Sequence, residues 1–251
     1  MSGNAPIQAL NRAAQILFSV AGAEGGRTIA QISRATGLNP HTAYRLARTL
    51  EGDNLLARDG GDGRFRLGSL VADLVRIENE RSLLAIASRV LVRTQLSLTD
   101  ANFSLVDPLP GGGSCARLIV AAERPGHAAL QRTVLHPPYA KASSLLFLAY
   151  ASAEEREAFF RRNPFEPAGV ALWESRLRLE SFLSDTRRRG YSLPEFPDGD
   201  YYRVAAPVFR RGHAPIAAVG AYVPNAIPDP VKDSLVKLCR AAAGEIDRSL
   251  S

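Results

Sequence analysis

The stretch TIAQISRATGLNPHTAYRLARTL, residues 28–50, constrains the fold more than any other part of the chain. Thr28 is a suitable N-cap for a short helix, and Gly37 can adopt the left-handed conformation that ends one. Asn39 can cap the next helix, with Pro40 in its first turn, where a missing N–H costs nothing. The stretch therefore predicts two short helices joined by a tight turn.

The second of these helices has two faces of opposite character. At about 100° per residue, small and apolar side chains fall on one face, and long donors and rings without a carboxylate fall on the other. The first set is Ala43, Leu46, Ala47 and Leu50, and the second is His41, Tyr44, Arg45 and Arg48. A solvated face usually mixes charges of both signs, so the second set indicates a DNA recognition helix. His41 lies near the N-terminus of this helix, where base contacts are made, so we expect it to make a sequence-specific contact, and we expect Arg45 and Arg48 to hold DNA of any sequence.

Flanking segments complete a small N-terminal domain. Residues 7–21 predict a helix with one apolar face, made of Ile7, Leu10, Ala14, Leu17, Phe18 and Ala21. Residues 55–67 predict a β-hairpin, with Phe65 and Leu67 inward and Arg64 and Arg66 outward, as in a wing that touches DNA. Arg27 and the start of the helix capped by Thr28 can hold a further phosphate. The predicted DNA-contacting residues are Arg27, Thr28, Asn39, Pro40, His41, Thr42, Tyr44, Arg45, Arg48, Arg64 and Arg66.

The rest of the chain predicts a second domain. A helical tract at 69–98 has a polar waist at 78–81, which suits an interdomain linker. Strand-like runs then surround a helical middle with helices expected near 142–151, 154–162 and 174–189, and an amphipathic helix closes the chain. The runs are ANFSLVDPL, CARLIVAAE, LQRTVL, GYSL, YYRVAAPVFR and APIAAVGAYV. This arrangement predicts an α+β domain with one antiparallel sheet.

Composition limits the partners and the chemistry. The net charge is +6 and only three of the 31 basic residues are lysines. Such arginine use fits binding to nucleic acid, but a GC-rich genome explains it equally well. We expect a cytoplasmic protein, because no run approaches the ~18 apolar residues of a membrane span and the N-terminus lacks a signal-peptide pattern. Cys115 and Cys239 fit no metal or redox spacing and are expected to be buried side chains.

Signals for catalysis are absent from the sequence. The four histidines show no metal-binding spacing, and no serine lies in a GxSxG context. We therefore expect no enzyme activity, no metal and no cofactor.

These motifs carry a family resemblance. The segments IQALNRAAQILFSV and TIAQISRATGLNPHTAYRLARTLEGDNLLARDGGDGRFRLGSLVADL resemble the winged helix–turn–helix of the IclR family of bacterial transcription regulators. RRRGYSL, RVAAPVF and PIAAVGAYVP resemble its later segments, so the resemblance covers nearly the whole chain. The chain departs from the family at Pro40 and His41, where many members have lysine or serine. It also departs in LHPPYAKASSLLFLA, where the family usually has a His-Ala-Thr-Ala and Gly-Lys run.

The resemblance implies an architecture and a function. Residues 1–68 would form the winged helix–turn–helix, 69–82 a linker helix, and 83–251 a GAF-like α/β domain that binds an effector and mediates oligomerisation. A homodimer or a dimer of dimers would bind a pseudo-palindromic, double-stranded operator. The expected role is a ligand-responsive repressor of a catabolic operon that senses a small carboxylic acid. Two alternatives stay open: a constitutive DNA-binding regulator, and an enzyme acting on a small carboxylic acid.

The resemblance also implies an effector pocket, walled by Ala142, Ser143, Ser144, Tyr201, Arg203, Gly220 and Tyr222. Arg203 begins an apolar strand, where an unpaired charge is costly. Its guanidinium can anchor a ligand carboxylate, or it can pair internally with Glu195 or Asp198. Tyr201, Tyr222 and Trp173 add ring surface that suits an aromatic acid such as a hydroxybenzoate, and Arg117 is a weaker second cation candidate.

Overall fold

The computed structural model describes residues 7–58, 60–110, 112–196, 199–210, 212 and 214–250. The chain divides into two compact units, Met1–Arg81 and Ser82–Ser251. Each unit has buried apolar clusters of its own. Each therefore has the hydrophobic core that a separate domain requires.

The first unit contains the predicted helix–turn–helix and hairpin. Its elements are α1 (Gln8–Ala21), α2 (Ile29–Thr36), α3 (Pro40–Gly52), β1 (Leu56–Arg58) and β2 (Phe65–Leu67). Thr28 caps α2 in a reciprocal pair of hydrogen bonds with Gln31, and Gly37 ends it with φ 69°. The caps expected from the sequence are confirmed. On α3, the inward face is also confirmed, because Ala43, Ala47 and Leu50 are buried.

The apolar face predicted for α1 is wrong. Ile7, Leu10 and Phe18 are 66%, 65% and 79% exposed, whereas Ile16 and Val20 are buried against α2 and α3. The helix carries apolar side chains on more than one side, so its periodicity fits two phases. Contact with α2 and α3 selects the phase that contains Ile16 and Val20.

The hairpin forms the predicted wing. β1 and β2 are antiparallel, and Arg58 is opposite Phe65. Phe65 is fully buried and exchanges two backbone hydrogen bonds with Arg27, at 2.9 and 2.8 Å. Arg66 is exposed as expected, but the inward placement of Leu67 is wrong, because its side chain is 41% exposed. Only the first side chain of this three-residue strand reaches the core.

Helix α4 (Ser69–Leu96) is continuous. The polar waist at 78–81 does not divide it into two pieces, since these residues are compatible with a helix and Arg76 pairs with Glu80 at 3.2 Å, one turn away. The boundary between the two units falls within this helix. Its part in the first unit exposes four large apolar side chains, Leu70, Leu74, Val75 and Ile77.

The second unit has the predicted antiparallel sheet, in the order β5-β4-β3-β7-β6. Its remaining elements are β3 (Asn102–Pro108), β4 (Ser114–Val120), β5 (Ala128–Val134), a 3-10 helix (Pro138–Ala140), α5 (Ala142–Tyr150), α6 (Ala153–Arg162), α7 (Ala168–Trp173), α8 (Arg176–Arg189), β6 (Tyr201–Val208), β7 (Ala217–Pro224) and α9 (Asp229–Leu250). Helix α7 was not expected. The strand expected at GYSL is reduced to a single bridge between Ser192 and Ala205.

The sheet is covered on both faces by helices. One face packs against α9 and the second half of α4, where Cys239 and Ile246 are buried. On the other face, Ala205 and Ala218 pack against Leu146 of α5. Both cysteines are buried, as predicted. Successive strand residues point to opposite faces, so Arg203 projects to the same side as Ala205, which is the side of α5.

Candidate functional site

The outer face of α3 is an exposed group of rings and cations. His41 and Arg45 are exposed, and Tyr44 is 44% exposed. Within the described residues the Arg45 guanidinium has no ion-pair partner. These three side chains are therefore accessible to another molecule, while the opposite side of the helix holds it in the core.

Arg48 forms an ion pair with a carboxylate that the sequence interpretation did not place on this face. Its Nη1 lies 2.6 Å from Oε2 of Glu51, one turn further along α3. An exposed pair of this kind contributes at most about 1 kcal/mol. A phosphate can therefore replace Glu51 at little cost.

The predicted contact residues at the helix starts have structural roles of their own. Asn39 Oδ1 accepts a hydrogen bond from the backbone N–H of Thr42 at 2.8 Å, and the Thr28 hydroxyl accepts one from Gln31. Pro40 is exposed at the first position of α3. Thr28 and Asn39 thus fix where the two helices begin.

The arginines near the wing differ in their surroundings. The Arg27 Nε donates to the carbonyl of Ser19 at 2.7 Å, which ties the chain before α2 to α1. The Arg64 Nε pairs with Oδ2 of Asp62 at 2.7 Å. Arg66 is exposed on β2. Sequence reasoning missed the structural contact of Arg27, because it depends on how the chain returns to α1.

A cavity of about 280 Å³ lies in the second unit, lined by the start of α5 and by all five strands. Six of the nine predicted effector residues line it: Ala142, Ser143, Tyr201, Arg203, Gly220 and Tyr222. A cavity of this size suits a small ligand.

Two rings and a guanidinium form one part of the cavity wall. Tyr201 and Tyr222 meet edge to face, with centroids 5.4 Å apart. The Arg203 Cζ lies 5.3 Å from the Tyr201 centroid, and its Nη1 donates to the Tyr201 carbonyl at 3.3 Å. The contacts hold the guanidinium beside aromatic surface.

Arg203 has no carboxylate directly against it within the described residues. Burial lowers the pKa of Arg203, while Asp200 and the two neighbouring tyrosines act in the opposite direction. Of the two internal partners expected from the sequence, Glu195 forms no ion pair with it, and Asp198 lies outside the described residues. The guanidinium is thus half-buried, and nearby negative charge compensates its positive charge only in part.

Three predicted effector residues lie elsewhere. The Ser144 hydroxyl bonds to Ser114 at 2.8 Å, and the Trp173 Nε1 donates to the carbonyl of Tyr139 at 3.0 Å. Arg117 pairs with Asp107 at 2.5 Å. These three side chains are therefore occupied in internal contacts outside the cavity lining.

Comparison with known proteins identifies the family. Residues 9–60 match the IclR helix–turn–helix domain. The glycerol operon regulatory protein of Streptomyces coelicolor is 28% identical over 225 residues, which cover 85% of this chain and 84% of that protein. The transcriptional repressor IclR of Escherichia coli is 24% identical over 227 residues, which cover 85% of this chain and 78% of that protein. The chain belongs to the IclR family.

Solved structures share the fold. One is the crystal structure of an IclR homolog from Microbacterium hydrocarbonoxydans complexed with 4-hydroxybenzoate, which aligns with a TM-score of 0.53 and 24% identity over 97% of this chain and 99% of that one. The likeness confirms the fold class: a winged helix–turn–helix, a long helix and an α+β domain with an antiparallel sheet.

Membership of the IclR family makes the chain a DNA-binding transcriptional regulator and not an enzyme. The described residues contain no group of three or more His, Cys, Asp or Glu side chains that could hold a metal ion. Across those same residues, every helix is too short or too polar to span a lipid bilayer.

The cavity has a basic residue that sequence reasoning did not select. Lys141 lines it next to the start of α5, and burial, followed by the charge of Arg203, lowers the pKa of Lys141. One signal pointed to it: lysine is rare in this chain. The other missed lining residues are Ser104, Val106, Ala116, Ile119, Gln131, Leu135, Val204 and Ala221.

Proposed function

We propose that this IclR-family regulator represses a catabolic operon and that a small carboxylic acid, bound in the cavity of its second unit, controls its affinity for operator DNA. The names of the relatives from Escherichia coli and Streptomyces coelicolor, a repressor and an operon regulatory protein, support this role. Operator DNA in a bacterium lies in the cytoplasm, so we assign the protein to that compartment. The observation that carries the proposal is the exposed basic and aromatic face of α3.

On operator DNA, the N-terminal half of α3 would enter the major groove. Of the four rings and cations on the outer face of α3, His41 and Tyr44 come first along the helix, so they would contact base edges. Arg45 and Arg48 would hold phosphates, and Arg66 on the wing would contact the backbone or the minor groove. The buried side of α3 keeps this face in a fixed orientation.

In the cavity, Arg203 would bind the carboxylate through two parallel hydrogen bonds. The backbone N–H groups at the start of α5 add to this preference, because no side chain caps that end of the helix. The Tyr201 and Tyr222 rings offer surface to an aromatic acid such as a hydroxybenzoate. The crystal structure of a family member complexed with 4-hydroxybenzoate supports this choice.

A homodimer, or a dimer of dimers, would match a pseudo-palindromic operator. Leu70, Leu74, Val75 and Ile77 of α4 are exposed in the first unit. A group of exposed large apolar side chains is typical of a protein interface. The acid can shift the balance between DNA-binding and released states only by the difference in its affinity for them.

Electrophoretic mobility shifts with the intergenic DNA beside the gene test the DNA half. We expect Arg45→Ala to weaken binding to all sequences and to lower the slope of log affinity against log salt by about 1. His41→Ala should instead reduce the preference for operator over unrelated DNA. Arg188→Ala removes the same charge from an exposed site of the second unit, 82% exposed, and should change nothing. If both α3 variants behave like the parent, the recognition-helix assignment is wrong.

Thermal shift against a panel of aliphatic and aromatic acids tests the effector half. We expect at least one acid to raise the melting temperature, to alter the mobility shift, and to lose both effects with Arg203→Ala. An acid whose stabilisation survives Arg203→Ala would remove Arg203 as the anchor. A panel without any effect on DNA binding would favour a constitutive regulator.

A further inference from the structure

The effector cavity holds two cations. Lys141 and Arg203 both line it, and the other described lining residues are neutral polar or apolar. Neither cation forms an ion pair with a described residue. Asp200 is close enough to act on Arg203 electrostatically, but it is not part of the lining.

Two like charges in a half-buried cavity are unfavourable without a counter-charge. In the absence of a counter-charge, the protonated form of Lys141 is disfavoured, because burial and the charge of Arg203 lower the pKa of Lys141. Arg203 is held by the Tyr201 ring and carbonyl, whereas Lys141 makes no such side-chain contact with a described residue. The cavity is therefore built to receive negative charge at two points, one on β6 and one at the start of α5.

We propose that Lys141 forms a second anionic subsite, so that the effector is a small, doubly charged anion that contacts Lys141 and Arg203 together. Such an anion is either a dicarboxylate or a phosphate monoester. The inference rests on the proposed function, because it takes the cavity that contains Arg203 as the effector site.

A single carboxylate satisfies only one of the two cations. Arg203 can take both oxygens of one carboxylate in a bidentate pair, which leaves Lys141 uncompensated. A second anionic group removes this deficit, and the point charge of a lysine ammonium accepts either a carboxylate or a phosphate. Tyr222 also lines the cavity, and its hydroxyl can donate to a remaining acceptor oxygen, whereas the Ser104 hydroxyl already donates to the Gly220 carbonyl and the Ser143 hydroxyl bonds to Ser114.

Isothermal titration of the full-length protein with butyrate, succinate and n-propyl phosphate tests the inference. These probes have similar length, and at about pH 7.5 the first carries one negative charge and the others nearly two. We expect succinate or n-propyl phosphate to bind at least about tenfold more tightly than butyrate. Lys141→Met should remove this preference but keep the affinity for butyrate, and Lys141→Arg should retain the preference. Lys237→Met removes an exposed lysine outside the cavity and should behave like the parent.

The outcomes separate the inference from the proposed function. Preference for succinate indicates a dicarboxylate, and preference for n-propyl phosphate indicates a phosphate monoester. If butyrate binds as tightly as both dianions, or if the preference survives Lys141→Met, the second subsite is refuted while carboxylate sensing stands. If no probe binds at millimolar concentration, the second subsite is refuted and the carboxylate effector loses support, whereas the DNA-binding role is judged by the mobility shifts alone.

Discussion

Gly220 keeps the cavity of the second unit open by having no side chain. A Cβ at this position would lie 3.0 Å from the Ser104 hydroxyl oxygen and 3.6 Å from Val106, two residues that line the cavity. We expect Gly220→Ala to fold but to reduce the affinity for a cavity-binding acid by about tenfold, because the added methyl group occupies ligand space. Titration calorimetry measures the change.

A matched substitution tests whether that loss is local. Gly244→Ala adds the same methyl group in α9, where the nearest atom belongs to the end of the Arg248 side chain at 3.5 Å. This variant should bind the acid like the parent. Equal affinities for the parent and Gly220→Ala would show that the acid does not occupy the space beside Gly220.

Cys239 should make the free energy of unfolding depend on pH in the alkaline range. Burial raises the pKa of its thiol from 9.0 to about 12. Between these values the unfolded chain releases a proton that the folded chain retains, so the free energy of unfolding falls as pH rises, by up to about 1.4 kcal/mol per pH unit. Urea unfolding of the parent and of Cys239→Ala across this range measures the effect, and the variant should lose stability less steeply. If the free energies of unfolding of the parent and of Cys239→Ala fell equally steeply with pH, Cys239 would not be the cause of the pH dependence.

Single residues of the site differed in how far the sequence could locate them. Arg203 could be selected, because a charged side chain in an apolar strand is costly unless it is paired. Lys141 could not be ranked from the sequence alone, since its role depends on the start of α5 lying against the sheet. Arg117 was misplaced because register shifts on both sides of β4 disturb the regular alternation there. Its side chain pairs with Asp107 instead.

At the scale of elements, the start of α3 controls the orientation of the DNA-binding face. Asn39 accepts the N–H of Thr42, and losing such a cap costs about 1 kcal/mol. We expect Asn39→Ala to lower the free energy of unfolding of the first unit by this amount and to weaken operator binding. Asn39→Ser retains a capping oxygen and should keep most of the stability. Chemical denaturation and mobility shifts measure the two effects, and equal stability of Asn39→Ala and the parent would contradict the capping role.

Elements were predictable where local chemistry decides them. The caps of α2 and α3 follow from side chains that bond to their own backbone, so the sequence located both helices. The phase of α1 and the inward direction of Leu67 depend on packing, and both were predicted wrongly. The polar waist at 78–81 does not interrupt α4, because a run of polar residues can continue a helix as readily as end it.

At the scale of the whole molecule, the sequence located two domains because the pattern of the chain changes. The first unit has helical periodicity and turn residues in a compact segment, and the second has strands around a helical middle. The order of the strands, with β3 between β4 and β7, brings together residues distant in the chain. That is why the complete lining of the cavity was accessible only from the structure.

The proposed dimer gives a prediction about the whole assembly. Leu74 is 54% exposed on the part of α4 in the first unit, beside Leu70 and Ile77 in the same exposed group. If a second copy covers this group, Leu74→Glu places a charge in an apolar interface and should favour the monomer. Sedimentation velocity should then show a smaller species than the parent. Binding to a complete operator should weaken by at least about tenfold, whereas binding to an isolated half-site should be unchanged.

Leu177→Glu provides the matched control for this prediction. It introduces the same charge at an apolar side chain that is 77% exposed on α8 in the second unit. It should retain the oligomeric state and the operator affinity of the parent. If Leu74→Glu also retains both, the exposed group on α4 is not the dimer contact. If it loses half-site binding as well, the damage lies in the first unit itself, because half-site binding requires one intact DNA-binding unit and no second copy.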